Sequence, residues 1–138
     1  GTKKGIAIMP FTCEWRVPGR VLMARINTDF TLDELREFAL VPARMIEQDG
    51  TPPVYFIADL RPMRRAPFRL SELRRVIPND QSENVGCYIM IVSDSIYGFV
   101  AAALVKLLRR PVRIVANEDG ALATLLEMEP DFGPALGQ

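Results

Sequence analysis

Apolar residues alternate along this chain between two spacings, strand-like and helix-like, and the switches between them divide it into elements. Phe11–Val17 and Arg20–Ile26 are β-rich runs on either side of Pro18-Gly19, a pattern that predicts an antiparallel hairpin. In the second run Val21, Met23 and Arg25 fall on one face and Leu22, Ala24 and Ile26 on the other. Apolar residues on both faces place that strand inside a sheet rather than at its edge. Thr31, with Glu34 three residues later, forms a capping box, so a helix starts there. Leu32, Leu35, Phe38, Ala39, Met45 and Ile46 then recur at helical spacing. Pro42 is expected to kink or split this helix after Ala39, and Gly50 with Pro52-Pro53 to end it.

Val54–Leu60 (VYFIADL) is apolar almost throughout, as a strand buried on both faces should be. It opens into a proline- and arginine-rich loop and a short helix over Ser71–Ile77, with Leu73 and Val76 as core contacts. Val85–Val92 is the next buried strand. Ser95 or Ser93 caps a helix from about Ile96 to Leu108, with Phe99, Ala102, Ala103 and Leu107 inward. Pro111–Ala116 is a strand, and Asn117 or its neighbours cap a last helix through Leu122, Leu125 and Leu126 that ends near Pro130. The order β-β-α-β-α-β-α-β-α predicts an α/β fold, a mainly parallel mixed sheet with an N-terminal hairpin and about four helices. A lead over 1–10, one domain over 11–129 and a flexible tail over 130–138 complete the expected organisation.

Composition narrows the chemistry. The 138 residues suit a single domain with a real core, and the formal net charge is zero, so no global field draws the chain to nucleic acid or to an anionic surface. Histidine is absent, which removes Ser-His-Asp and Cys-His nucleophile systems. The two cysteines, Cys13 and Cys87, lie far apart in apolar runs without metal-site or disulfide-motif spacing and read as reduced core thiols. No apolar run is long enough to span a membrane, and Gly1–Pro10 has no signal-peptide h-region, so a cytoplasmic location is expected. No cofactor is implied.

Three local signatures carry a family resemblance: the strand ending in Asp59-Leu60, the Ser-Asp-Ser-x-Tyr-Gly turn at 93–98, and the Val112–Val115 strand leading into Glu118-Asp119-Gly120-Ala121-Leu122. With the element order, they make residues 14–128 resemble a STAS domain, the fold of the anti-sigma-factor antagonists. The closer likeness is to STAS-like bacterial proteins grouped with lipid-binding CRAL-TRIO domains. The resemblance implies a non-catalytic regulatory domain that binds a protein partner and forms a homodimer. One departure is plain. The turn that carries a phosphorylatable serine in the antagonists falls here near Pro67-Phe68-Arg69-Leu70, with Ser71 a few residues late, so the phosphoserine switch does not carry over.

Candidate binding residues cluster in two places. The segment 61–75 holds Arg61, Arg64, Arg65, Arg69, Arg74 and Arg75 against the single acid Glu72, interleaved with Met63 and Phe68. Guanidinium groups grip phosphate and carboxylate in a forked geometry, so Arg64, Arg65, Phe68 and Arg69 are candidates to contact an acidic protein partner, or else an anionic small molecule or lipid headgroup. Without such a ligand they form a solvated arginine surface, partly paired with Asp59 or the acids of the first helix. Ser93, Asp94, Ser95 and Tyr97 sit where a strand hands over to a helix. There they either cap the helix or line a pocket for an anionic ligand beside apolar space at Met63, Phe68 and Tyr97. Arg109, Arg110 and Arg113 read as helix C-terminal charge at the opposite end of the sheet, and no stacking-aromatic motif points to nucleic acid. Asp59 alone is placed like a catalytic carboxylate, but no second acid, histidine or lysine stands at catalytic spacing, so no enzyme is expected. Trp15 reads as a core or dimer contact.

Overall fold

The computed structural model describes residues 10–27, 29–65, 69–76 and 81–137. Its sheet has five strands in the order β1-β2-β3-β4-β5: β1 Phe11–Val17, β2 Val21–Ile26, β3 Val54–Asp59, β4 Val85–Ile91 and β5 Val112–Val115. β1 and β2 form the antiparallel hairpin, and β2 to β5 run parallel. The hairpin turn follows from its residues. Pro18 fixes the first turn angle, Gly19 takes φ 74°, and the Arg20 N–H bonds the Val17 carbonyl at 2.9 Å.

Each crossover from β2 onward steps to the adjacent strand in the same direction. Connections of one hand must then lie on one face of the sheet. α1 (Leu32–Asp49), α2 (Leu70–Val76) and α3 (Asp94–Phe99) all do so. Leu22, Ala24, Phe56, Ala58, Tyr88 and Met90 face these helices. The opposite face carries Val21, Met23, Tyr55, Ile57, Cys87, Ile89 and Ile91, covered by Ala121 and Leu125 of α5 (Glu118–Met128) and by Phe132. Every β3 side chain is buried on one face or the other, as its unbroken apolar run requires. Gly86 shifts the β4 register by one residue, so that Val85 shares a face with Tyr88 instead of with Cys87. A Cβ on Gly86 would stand 3.0 Å from Pro53 Cβ and 3.3 Å from the Tyr55 ring, so a larger residue would have to push these neighbours aside.

α1 begins at the expected capping box: the Thr31 hydroxyl accepts from the Glu34 N–H and the Glu34 carboxylate from the Thr31 N–H. Pro42 does not split it. The helix is continuous over Leu32–Asp49, because Phe38, Pro42 and Ile46 form one buried stripe whose packing outweighs the single backbone bond that proline removes. α3 continues through a π-helical segment, Val100–Leu104, into the short turn α4 (Val105–Leu107). The wider π turn rotates the buried face, so Ile96, Val100 and Ala103 point inward while Ala102, expected in the core, is exposed. Cys13 and Cys87 are free thiols on opposite faces of the sheet. Burial, with Glu14 adding, pushes the Cys13 thiol up to about 11.

Residues 130–137, expected to form a tail without pattern, make two 3-10 turns, Pro130–Phe132 and Pro134–Leu136. Phe132 is buried edge-on against Tyr55, with the Arg20 guanidinium 5.1 Å from its ring centre. Glu129 accepts from the Tyr55 hydroxyl at 3.0 Å and from Arg20 at 3.3 Å, closing this clasp. The second core therefore extends past residue 129. Phe132→Ala is expected to destabilise the protein by about 3 kcal/mol in urea unfolding, whereas a tail that packed on nothing would give no change.

Candidate functional site

The arginine-rich segment leaves the sheet at Asp59, and the carboxylate there is fully engaged. Arg61 bonds it through Nε at 3.0 Å, Nη2 at 2.7 Å and its backbone N–H at 3.2 Å. Arg25, directly opposite in the β2–β3 ladder, adds Nε at 3.2 Å and reaches on to Glu118 at 2.9 Å. Arg16 stands 3.7 Å from the same glutamate. Burial by itself would raise the Asp59 carboxyl, but the bonds from Arg61 and Arg25 to its charged form hold it below its ordinary value of 3.8. The network lies at the carboxyl edge of the sheet on the α5 face. It ties β2, β3 and the start of α5 together.

On the other face, between α1, α2, α3 and the sheet, lies a cavity of about 110 Å³. Its walls are apolar: Phe38, Ala39, Pro42 and Ala43 from α1, Phe56 and Ala58 from β3, Tyr88 and Met90 from β4. Leu60, Met63 and Leu73 of the arginine-rich segment close one side, and Phe99 and Val100 another. Small side chains leave room for it: the facing positions 39, 43 and 58 are alanine.

The two candidate clusters meet at the rim. The Ser93 hydroxyl donates to the Met63 carbonyl at 3.3 Å and lies 2.9 Å from the Ser95 hydroxyl. Ser93 occupies the N-cap position, so Ser95 lies within the first turn, not at the cap. The Ser93 side chain makes no capping bond; it points instead to the Met63 carbonyl. Asp94 and Tyr97 are exposed, and Tyr97, at 52 % exposure, is not part of the cavity wall as expected. Arg64, Arg65 and Arg69 are exposed, as are Arg74 and Arg75 on α2. None of these five forms an ion pair with a described residue. Glu72 accepts instead from the Arg69 backbone N–H at 2.8 Å. Phe68 lies outside the described residues. Arg110 bonds the Glu83 carbonyl at 2.7 Å, which brings the second arginine cluster beside the segment that follows α2.

The α1 side of the cavity was missed in the sequence. The signal was there in Ala39, Pro42, Ala43 and Ala58, small side chains on faces otherwise filled by large ones. Among the described residues, no group of three or more Cys, Asp or Glu is placed to hold a metal ion, and no helix is long and apolar enough to cross a membrane. Compared with protein-family models, curated proteins and solved structures, the chain matches none.

Asp59→Asn is expected to cost about 2 kcal/mol, less than a fully buried pair because both guanidinium groups are partly exposed. A carboxyl held below its unfolded value stabilises the fold above that value and stops doing so as pH falls through the folded one. The difference between wild type and variant should therefore be constant above about pH 4 and shrink only below it. Urea unfolding across a pH series measures it.

Proposed function

We propose that this protein is a non-enzymatic regulatory domain that binds a small anionic amphiphile. The apolar part occupies the cavity beneath α2, and the charged head meets Arg64 and Arg65 beside Met63 on the rim. The observation that carries the reading is the cavity itself. At about 110 Å³ it is of the order of the ~150 Å³ engineered cavity that takes up benzene, and walls so poor in polar groups suit an aromatic ring or a short alkyl chain. The exposed arginines next to it supply the forked donors that a phosphate, sulfonate or carboxylate head requires. A regulatory role is supported by the resemblance of residues 14–128 to STAS-like domains. Against catalysis stands the engagement of Asp59 by Arg61 and Arg25, which leaves that carboxylate no free role as a base.

The test is saturable binding of toluenesulfonate, whose single ring is apolar and whose head is anionic, measured by calorimetry, with native mass spectrometry of the purified protein. One probe per chain is expected, and a ligand at a hundredfold excess over its Kd should add about 2.7 kcal/mol to stability. Ala43→Leu, which fills the cavity from α1, should weaken binding at least tenfold while leaving stability within about 1 kcal/mol. Equal binding by that variant, or none by the wild type, would overturn the reading.

A further inference from the structure

Charge is distributed unevenly over this chain. Its formal net charge is zero, yet residues 61–76 hold six arginines against one glutamate, which leaves −5 on the remainder. Arg61 is neutralised by Asp59, and Glu72 is used by the backbone of its own helix. What remains are exposed guanidinium groups, Arg64, Arg65, Arg69, Arg74 and Arg75, on the segment that supplies Met63 and Leu73 to the cavity wall. An acidic protein would explain the arginines and leave the apolar cavity next to them without purpose. An anionic lipid surface accounts for both, because it presents a plane of phosphates and holds apolar and amphiphilic molecules just beneath them.

We propose that the α2 face docks on an anionic phospholipid bilayer, with Arg74 and Arg75 as its principal contacts, and that docking sets the cavity beneath α2 next to the membrane from which its ligand is drawn. The acidic remainder of the chain is repelled by the same surface, so the domain is oriented with α2 downward. This rests on the ligand-binding reading for its purpose, but the docking step is measured separately.

The experiment is flotation of the full chain with vesicles of phosphatidylcholine alone, and with about one-third phosphatidylglycerol, at low ionic strength. The protein should float with the anionic vesicles only, and be released near 1 M salt, where the screening length falls to about 3 Å. Arg74→Glu/Arg75→Glu, on the exposed side of α2, should lower partitioning roughly a hundredfold or more, since each basic residue near the surface contributes about fivefold. The same variant should keep the cooperative urea unfolding of the wild type, which shows that it is folded, and should still bind toluenesulfonate in solution. Absence of flotation, flotation that ignores lipid charge, or an unaltered double variant would overturn docking. Retention on immobilised polyglutamate without flotation would do the same and assign the face to an acidic protein. The Ala43→Leu variant should float like the wild type, so loss of ligand binding and loss of docking are separable results.

Discussion

The fold depends on one geometric constraint: strands β2 to β5 advance across the sheet in a single direction, each joined to the next by a connection of the same hand. Three connecting segments must then share one face, and they compete for width on it. α1 and the rod formed by α3 and its π extension are long enough to cover their share. The connection between β3 and β4 lays the seven-residue α2 over the sheet between them. The cavity lies in the middle of this layer, closed on one side by Met63 and Leu73 of the connection that also carries the arginines.

The opposite face obeys a different rule. No crossover is left to cover it, so α5 turns back over the sheet and the following 3-10 turns finish the job with Phe132. Side chains rather than chain connectivity hold this layer in place. Arg25 and Arg16 reach Glu118 at its start, Arg20 and Tyr55 hold Glu129 at its end, and Leu125 fills the space between. The ionic groups work at the two ends, where water competes, while the apolar contacts work in the middle. That division is what partly exposed charge pairs can sustain.

Most of the architecture was legible because it is written in short-range patterns. Alternation gives both faces of β2, the Thr31–Glu34 box gives the start of α1, and Asn117, whose side chain accepts from the Gly120 N–H, gives the start of α5. What escaped was set by packing between distant segments. Pro42 breaks an isolated helix but here sits in a stripe with Phe38 and Ile46 that the sheet holds together. The π segment that turns Ala102 outward has no local sign in a run of three alanines. Phe132 was overlooked because its partner, Tyr55, lies on the central strand far away in sequence. At the site, the arginine cluster and the Ser93 turn were visible separately, but their junction through the Met63 carbonyl exists only in three dimensions.

The placement of α5 also bears on how the chain is made. Every pair of adjacent strands is adjacent in sequence as well, so the sheet and its three crossovers can assemble in the order in which they leave the ribosome. The contacts that join the hairpin to the end of α5, such as Arg20 with Glu129, wait until α5 has followed all five strands out. Until then the side of the sheet with Val21, Ile57, Ile89 and Ile91 lacks the cover that α5 and Phe132 give it. A nascent or truncated chain ending before α5 would present that apolar surface to its neighbours, which makes α5 a safeguard against self-association during synthesis.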